Sequence, residues 1–379
     1  MRVLHVTPYF APAWRYGGPV QSVLRLCQSL QAAGVDVTVA TTNSDGAGDL
    51  DVPLDCETRF DGVPVHYFAR WPRISYGFSK SLAQYLHHET SQFDLVHITS
   101  TFSFAALTAG RAARRAGVPY LVSPHGALQL WSLRQKRWKK VPYWVLFEKD
   151  HLMRAAALHA TADLERDEAL AVLPKANIFV VPNGMEPIGE LGSVIRSPRQ
   201  IVFLGRIHPK KGFDVLIPAL SIVARKLPQV ETIIAGPDQD GEWARVQTLI
   251  DRATPKPRVR YMGPVDGSER FRLLATSTVF VLPSHSENFG MTVVEAMATR
   301  TPVVISKNCP WQVVEQAGAG YWIENTPAAV ADALLRILGD PAGASRMGEA
   351  GAHLAAQYDW SRIGQDMAAH YRRLLAHMV

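Results

Sequence analysis

The alternation of short apolar runs with segments of helical periodicity is the feature that most constrains how this chain can fold. Its first cycle is complete by residue 40: Val3–Val6 is an apolar run, Val20–Ala33 has helical spacing and stops at Gly34, and Val35–Ala40 is the next apolar run. Such cycles predict βαβ units, which build parallel sheets. We therefore expect an α/β protein with doubly wound, Rossmann-like parallel sheets.

The same cycle recurs in both halves of the chain. In the first half the further predicted strands are Val63–Phe68, Leu95–Ile98, Tyr120–Val122, Leu158–Ala160 and Ile178–Val181, and residues 43–62, rich in Gly, Asp and Asn, predict a long loop. In the second half the predicted strands are Ile201–Leu204, Glu231–Ala235, Val259–Met262, Val279–Leu282 and Pro302–Ile305. The predicted helices there are Phe213–Lys226, Glu269–Thr276, Met291–Ala298, Ala328–Leu338, Ala344–Gln357 and Ser361–Met378.

The length of the chain, 379 residues, is too great for one ordinary core and predicts two domains. Residues 182–199 contain glycine and proline, lack periodicity and are typical of a linker. We place the first domain at 1–188 and the second at 189–360. In open α/β sheets ligands bind beyond the carboxyl ends of the strands, so we expect a ligand site in a cleft between the two domains.

Composition excludes several classes of protein. The three cysteines, Cys27, Cys56 and Cys309, are far apart, which fits neither a zinc site nor a disulfide framework and favours a reducing, cytoplasmic location. The apolar run at the N-terminus is too short for a signal peptide, and no stretch reaches the ~20 apolar residues of a spanning helix. The net charge of +6 favours anionic partners, although it also fits an ordinary basic enzyme surface.

Two cations follow the first strand of the second half. Arg206 and Lys211 lie in a loop bounded by Gly205 and Gly212, and the next helix is expected to begin near Phe213. Arginine binds a phosphate with two hydrogen bonds, lysine adds a point charge, and a helix N-terminus adds partial positive charge. The segment therefore predicts a diphosphate site; the alternative is a solvated basic loop.

Two carboxylates follow another predicted strand, Val279–Leu282, on the same side of the same sheet. Glu287 lies before the helix that is expected to begin near Gly290, and Glu295 lies within that helix. The N–H groups of Gly290, Met291 and Thr292 would be available to a ligand. A carboxylate accepts two hydroxyls of a diol, so Glu295 fits a ribose and Glu287 a sugar. Helix capping by Glu287 with a surface Glu295 is the alternative, but apolar neighbours predict that Glu295 is buried.

Three residues of the first half also lie after predicted strands. His125, between Pro124 and Gly126, could bind a sugar hydroxyl or stabilise positive charge at a reacting carbon, or it could be structural. Gly17 and Gly18 open the first helix, where a phosphate could approach, but they do not form a Gly-x-Gly-x-x-Gly fingerprint.

Two further patterns have several interpretations. The triplets Asp49-Leu50-Asp51 and Asp238-Gln239-Asp240 could bind Mg²⁺ or Mn²⁺, but each lies in a loop or turn, and we predict no metal and no other cofactor. Residues 131–154 mix cations with aromatic side chains, which fits an anionic membrane surface, a nucleic acid or a solvated helix with core aromatics. Because no nucleic-acid-binding signature accompanies them, we predict no nucleic-acid partner. The residues are Trp131, Arg134, Lys136, Arg137, Trp138, Lys139, Lys140, Tyr143, Trp144, Phe147, Lys149 and Arg154.

Taken together, these motifs resemble those of the family-4 retaining glycosyltransferases, which have the GT-B architecture. The resemblance covers nearly the whole chain, and its most specific parts are the Arg206/Lys211 pair and the Glu-x₇-Glu spacing of Glu287 and Glu295. The further matching segments are Thr7-Pro8 with Gly17-Gly18, Pro124-His125-Gly126, Val181-Pro182-Asn183-Gly184 and Glu287-Asn288-Phe289-Gly290.

The resemblance implies transfer of a sugar from a nucleoside diphosphate, of UDP or GDP type, with retained configuration and without a metal. It implies that Arg206 and Lys211 stabilise the leaving diphosphate, that Glu295 binds ribose, that Glu287 binds the donor sugar and that His125 lines the reaction centre. It places the other donor contacts at Gly17, Gly18, Asn183, Asn288, Phe289, Gly290, Met291 and Thr292.

Two further expectations come from the resemblance. The last helix, within 361–379, should cross back to the first domain. The segment Tyr16–Pro19 and the basic segment resemble bacterial exopolysaccharide, capsule or O-antigen members, which implies a glycan or polyprenyl-linked acceptor and a peripheral location on the inner face of the plasma membrane. One departure is Arg300, where many members have glycine in the turn after the Glu295 helix; a positive φ there would cost roughly 1 kcal/mol.

Two rival functions share part of this pattern. A GT-B sugar-nucleotide epimerase would act on its donor with no acceptor present. A non-catalytic basic protein that binds polysaccharide or membrane would show strong salt dependence and no response to nucleotide sugars.

Overall fold

The computed structural model describes residues 1–46, 48–71, 76–135, 137–186, 188–189, 191, 194–238, 240–265 and 267–376. The chain divides into two compact units. The first comprises Met1–Gly184 together with Trp360–Val379, and the second comprises Met185–Asp359. Of the residues named above, Lys136 and Gln239 and the end of the last helix, 377–379, lie outside the described residues.

The first unit alternates strands and helices as the sequence predicts. Its strands are β1 (Arg2–Val6), β2 (Asp36–Thr42), β3 (Ser44–Asp45), β4 (Gly48–Asp49), β5 (Glu57–Phe60), β6 (Val63–Phe68), β7 (Leu95–Thr99), β8 (Tyr120–Ser123), β9 (Ala157–Ala160) and β10 (Ile178–Val180). Its helices before the linker are α1 (Gly18–Ala32), α2 (Lys80–Glu89), α3 (Phe104–Ala116), α4 (Leu130–Arg134), α5 (Arg137–Tyr143), α6 (Lys149–Met153) and α7 (Asp163–Val172).

A doubly wound sheet organises this unit. Among the described residues it has eight strands in the order β10-β9-β8-β7-β1-β2-β6-β5, and all its pairs are parallel except β5 with β6. Successive residues of β1 enter different cores: Val3 packs in the cluster that includes residues of α1, and Leu4 packs in the cluster that includes residues of α2 and α3. Both faces of the sheet are therefore buried, and the strand order reverses between β1 and β7.

The predicted loop at 43–62 is wrong in part. Strands β3 and β4 pair there, and β5 pairs with β6 through a tight turn at Asp61-Gly62, where both residues have positive φ (47° and 84°). Asp-Gly with two positive φ values is the sequence of a type I′ hairpin turn. The apolar pattern did not reveal β5 because it is a mostly polar strand at the edge of the sheet.

The second unit has a six-stranded sheet among the described residues, with parallel pairs in the order β13-β12-β11-β14-β15-β16. Its strands are β11 (Gln200–Leu204), β12 (Glu231–Ala235), β13 (Arg258–Gly263), β14 (Val279–Leu282), β15 (Val303–Ser306) and β16 (Gly320–Ile323). Its helices are α8 (Phe213–Lys226), α9 (Glu242–Arg252), α10 (Gly267–Thr276), α11 (Met291–Ala298), α12 (Val313–Gln316), α13 (Pro327–Gly339) and α14 (Pro341–Ala355). The sequence pattern did not predict α9, α12 and β16, which are short or amphipathic elements of this sheet and of the helices that cover it.

The C-terminal helix α15 (Trp360–Ala376) packs on the first unit, as the resemblance implies. Its buried face includes Trp360, Ile363, Met367 and Tyr371, which join the core cluster of α1. None of the helices in the described part of the chain is both long enough and apolar enough to cross a bilayer.

Candidate active site

The loops after β11 and β14 lie side by side at the carboxyl edge of the second sheet. These two strands are parallel neighbours, and the strand order reverses between them, which is the switch point where open α/β sheets bind ligands. Gly212 fixes the close approach of the loops. It has φ +75°, and a Cβ built on it would lie 1.8 Å from the carbonyl oxygen of Pro283. The amide of His285 also donates to the carbonyl of Lys210 at 2.8 Å.

This approach brings Lys211 and Glu287 together. Lys211 Nζ lies 2.6 Å from Glu287 Oε2, and the side chains are only 14% and 13% exposed. Ser284 Oγ donates to the same carboxylate oxygen at 3.2 Å. Burial alone would raise the pKa of Glu287, but Lys211, Lys210 and these hydrogen bonds outweigh burial and hold the pKa below its ordinary value. The carboxylate is therefore ionised beside an ammonium.

Helix α11 begins directly after this pair. Gly290, with φ +82°, precedes the first helical residue, Met291. The Val293 amide donates to the Gly290 carbonyl at 2.8 Å, and the amides before it open the helix, where the α-helical pattern offers them no acceptor. Phe289 anchors the turn because its ring is buried against Trp311, with the ring centroids 5.1 Å apart, and the Trp311 indole donates to the Phe289 carbonyl. Asn288, in the turn, and Thr292, the second residue of the helix, are both half-buried. The helix end and its dipole are thus held next to Lys211 and Glu287.

Arg206 is exposed on the loop that follows β11, at the same edge of the sheet. The loop is held in place because the amide of Ile207 donates to the carbonyl of Pro237 at 2.8 Å. The second unit therefore carries Arg206, Lys211 and the α11 N-terminus at one sheet edge, which is a suitable arrangement for a diphosphate.

Glu295 belongs to a second charged cluster, which the sequence analysis did not foresee. The residue is buried, as its apolar neighbours predict, and its Oε1 lies 3.4 Å from Arg270, which lies 3.6 Å from Glu186. Burial raises the pKa of Glu295 to about 7; Arg270 opposes this rise and Glu186 adds to it. Arg270 lies in the first turn of α10 and Glu186 lies in the linker, so no spacing in the sequence joins them to Glu295.

In the first unit, the remaining predicted residues also follow strands. Gly17 (φ +73°) precedes α1 and Gly18 is its first residue, so a glycine pair does open this helix. His125 (φ +48°) follows β8, and burial lowers its pKa to about 4, so the imidazole is neutral at pH 7. Asn183 is buried shortly after β10. The amide of Gly126, the residue after His125, donates to the Glu165 carboxylate at 2.6 Å, which fixes the loop that carries His125.

A hydrogen-bonded chain of neutral side chains lies near the end of β8. His159 Nε2 must donate to the Val181 carbonyl (2.8 Å), so its Nδ1 accepts from Ser123 Oγ (2.7 Å). Ser123 then accepts from His97 Nε2, and His97 Nδ1 accepts from the Tyr371 hydroxyl, both at 2.6 Å. Burial, the largest cause, lowers the pKa of both histidines, which keeps the chain intact. It ties α15 to strands β7, β8 and β9.

The Asp-x-Asp triplets have structural partners. Asp49 lies 2.5 Å from Arg70, and Asp238 accepts from the Trp243 amide at 3.0 Å. In the described part of the chain, no three His, Cys, Asp or Glu side chains cluster to hold a metal ion.

Residues 130–135 and 137–154 contain three short helices, α4, α5 and α6, with a π-helical turn at Trp144–Glu148. Several large apolar side chains are exposed here, including Trp138 (75%), Val145 (70%) and Leu146 (67%). Lys139 lies over the Trp138 ring, 4.7 Å from its centroid. The segment is therefore neither a solvated polar helix nor wholly part of the core.

Comparison with known proteins agrees with this geometry. Residues 17–184 match the family "Glycosyl transferase 4-like domain", and residues 193–354 match "Glycosyl transferases group 1". The chain is 25% identical to a D-inositol 3-phosphate glycosyltransferase of Streptomyces avermitilis, over all of this chain and 89% of the relative. It is 28% identical to a phosphatidyl-myo-inositol mannosyltransferase of Propionibacterium freudenreichii, over 98% of this chain and 94% of the relative.

Solved structures show the same fold. Anabaena HepE, determined with UDP and glucose, superposes with a TM-score of 0.73 at 18% identity over 98% of this chain and all of that chain. Sucrose-phosphate synthase of Thermosynechococcus elongatus superposes with a TM-score of 0.73 at 21% identity over the whole of both chains. The two family matches together span most of the sequence. This chain therefore belongs to the family-4 glycosyltransferases of the GT-B fold and is a nucleotide-sugar-dependent glycosyltransferase.

Proposed function

We propose that this enzyme transfers a hexose from a nucleoside-diphosphate sugar to a glycan or polyprenyl-linked acceptor, with retention of the anomeric configuration and without a metal or other cofactor. The observation that carries the proposal is the Lys211–Glu287 pair, held beside the N-terminus of α11 at the switch point of the second sheet. A largely buried cation next to the amides that open a helix is suited to an anionic leaving group.

The donor would bind through charges of both signs. Arg206 and Lys211 would hold the diphosphate with the first amides of α11, at Gly290, Met291 and Thr292. Glu287, kept ionised by Lys211, would accept a hydroxyl of the sugar. UDP is our preferred nucleotide because structural neighbours were determined with UDP and UDP-glucose, and GDP is the alternative.

Glu295 would accept the ribose hydroxyls in this arrangement. The hydroxyls would compete with Arg270 for its carboxylate, which lies 3.4 Å from that guanidinium. The remaining proposed donor contacts are Gly17, Gly18, Asn183, Asn288 and Phe289.

The chemical step would depend on stabilisation of the departing diphosphate. As the glycosidic bond breaks, negative charge develops on the phosphate oxygen, and Lys211 and Arg206 would stabilise it. The departing oxygen can then take the proton of the acceptor hydroxyl. His125, neutral at pH 7, would contribute a lone pair or an N–H at the reaction centre without adding positive charge.

The acceptor is proposed to be lipid-linked because residues 131–154 combine cations with exposed apolar side chains. Trp138, Val145 and Leu146 could enter the headgroup region while Lys139 and Arg137 contact anionic lipid. We place the enzyme at the inner face of the plasma membrane on this basis, in exopolysaccharide, capsule or O-antigen synthesis.

The donor and the reaction are tested with purified protein. Thermal unfolding is measured with UDP, GDP and ADP and with their sugars, and a ligand at 100 times its Kd should add roughly 2.7 kcal/mol of stability. Turnover is then measured with a polyprenyl-phosphate-linked glycan, and the configuration of the product is determined by NMR. Stabilisation by nucleotide sugar with no transfer, but with epimerisation of the donor alone, would identify an epimerase instead.

The role of Lys211 is tested by Lys211→Ala. We expect kcat to fall far more than donor affinity, since the ammonium acts mainly on charge that develops in the transition state. Lys307→Ala, which removes the same kind of Lys–Glu pair at an exposed position, is the control and should leave both unchanged. An unchanged kcat in Lys211→Ala contradicts the mechanism.

The membrane contact is tested by co-sedimentation with vesicles of neutral lipid and of neutral lipid with one third phosphatidylglycerol. The protein should bind only the anionic vesicles, and Trp138→Ala should weaken binding several-fold. Trp71→Ala, which removes another exposed tryptophan outside the segment, is the control. Equal binding by both variants contradicts the membrane proposal but leaves the sugar transfer untouched.

A further inference from the structure

A cavity of about 380 Å³ opens at the edge of the second sheet opposite to the candidate active site. Pro198 and Thr278, which line it, lie just before β11 and β14, whereas the donor residues follow the carboxyl ends of these strands. Helices α13 and α14 supply an apolar wall through Ile337 and Ala344. The cavity therefore belongs to neither the donor site nor the proposed membrane segment.

Arg300, which stands where many family members have glycine, lines this cavity. It lies in the turn after α11 with φ +60°, the left-handed region in which glycine is unstrained. The positive φ expected at this position is thus confirmed. The backbone strain that arginine adds is retained although glycine would relieve it, and strain of this kind tends to persist where a side chain has a function.

A second guanidinium faces the same space. Arg196 is half-buried and is held by the main chain of the Arg300 turn, because its Nη2 donates to the carbonyl of Thr299 at 3.2 Å and to that of Arg300. Arg300 Nη1 lies 3.4 Å from Glu349, another lining residue, but both side chains of that pair are more than 60% exposed. Two guanidiniums and one carboxylate leave an excess of one positive charge among the described residues of the wall.

The two arginines disfavour each other in the absence of a counter-ion. Burial lowers the pKa of Arg196, the nearby charge of Arg300 lowers it further, and Glu349 only partly compensates. An anion between the guanidiniums would offset both the burial of Arg196 and its repulsion from Arg300. The planar guanidinium group can donate two parallel hydrogen bonds to the oxygens of a phosphate. The apolar wall would pack against the body that carries the phosphate, and the volume lies in the range of small-molecule sites.

We propose that this cavity is a second, non-catalytic site that binds a phosphorylated sugar, with the phosphate between Arg196 and Arg300 and the ring against Ile337 and Ala344. This inference goes beyond the proposed transfer reaction and does not depend on it. Because the site lies at the opposite edge of the sheet that carries the donor residues, it would remain open while a nucleotide is bound.

The site is tested by isothermal titration with the donor site saturated by UDP. The probes are glucose 6-phosphate, glucose and inorganic phosphate. We expect one molecule of glucose 6-phosphate per chain, at least tenfold weaker binding of inorganic phosphate, and no heat from glucose. Inorganic phosphate that binds as tightly as glucose 6-phosphate, or an absence of binding by glucose 6-phosphate, overturns the proposal.

The decisive variant is Arg300→Gly, because glycine adopts φ +60° without strain and should leave the midpoint of thermal unfolding unchanged or higher. It should weaken glucose 6-phosphate binding at least tenfold, and Arg196→Gln should do the same. Lys307→Ala, which removes an exposed cation elsewhere in the second unit, is the control and should leave this binding unchanged. Binding that survives Arg300→Gly, or that Lys307→Ala weakens as strongly, contradicts a second site.

Discussion

Replacing Lys211 with methionine should leave the Glu287 carboxylate buried without its ammonium, and the cost can be worked out from the geometry. The pair is 2.6 Å long with both side chains about seven-eighths buried. Removing one partner of a buried pair costs about 3–5 kcal/mol, mostly because the other charge is left uncompensated. Lys210 and the Ser284 hydroxyl also stabilise this carboxylate, so we expect a loss of about 3 kcal/mol.

A double-mutant cycle separates the pair from other effects. Lys211→Met and Glu287→Gln are made singly and together, and the free energy of unfolding is measured by urea titration. The double variant should be more stable than Lys211→Met alone, with a coupling of about 2 kcal/mol between the two positions. The Lys307–Glu324 pair is the control, since its N–O distance is 2.7 Å but its side chains are 45% and 69% exposed.

The control cycle should give a coupling near the error of the measurement, because exposed pairs are screened by water and salt. If the stability losses of Lys211→Met and Glu287→Gln prove additive, or couple no more strongly than those of the control pair, the Glu287 carboxylate does not depend on Lys211. The Lys211–Glu287 pair would then not be a preorganised part of the donor site.

Three further predictions follow from the same sheet edges. Gly212→Ala would place a methyl group 1.8 Å from the Pro283 carbonyl oxygen, at a residue with positive φ. We therefore expect weaker donor binding and a loss of stability greater than the roughly 1 kcal/mol that positive φ alone costs an alanine. Both are measured by urea titration with and without UDP. Burial raises the pKa of Glu295 from 4.5 to about 7, so the native state holds a proton that the unfolded chain releases, and stability from this group falls as pH rises through that window. Glu295→Gln should remove up to about 3 kcal/mol of this dependence, measured as urea midpoints from pH 4 to pH 8; identical slopes in both proteins would contradict it. His125, with a pKa of about 4, should leave no inflection near pH 6.5 in the rate profile, and His125→Ala should lower kcat at every pH from 5 to 8.

Much of the fold could be predicted because the strands of a doubly wound sheet are continuous apolar runs. Val63–Phe68, Glu231–Ala235 and Val279–Leu282 begin and end where the sequence predicts, as do the helices Phe213–Lys226 and Met291–Ala298. Two strands at the edges of the sheets, β5 and β16, were not predicted, for physical reasons. The β5 strand is polar and lies at a sheet edge, and its Asp61-Gly62 turn was the signal that could have revealed it.

The site could be predicted only where residues follow a strand. Lys211 and Glu287 follow predicted strands, which places both at the carboxyl edge of the second sheet. That β11 and β14 are neighbours, and so bring the two side chains together, is visible only in the structure. Arg270 and Glu186 reach Glu295 from a helix start and a linker, and only the packed structure brings them together.

The cavity at the opposite edge was also beyond the sequence analysis. It depends on helix α14 packing near the Arg300 turn, a contact between distant segments. Arg300 could be recognised as a departure from the family in the sequence, but the other residues that line the cavity could not.

The measurement that tests the central claim most directly is a crystal structure with a bound nucleotide sugar, starting with UDP-glucose. The account predicts that the diphosphate contacts Arg206, Lys211 and the first amides of α11, with the sugar at Glu287 and the ribose at Glu295. A diphosphate bound elsewhere in the second unit, with these side chains still in their ligand-free contacts, would contradict the account.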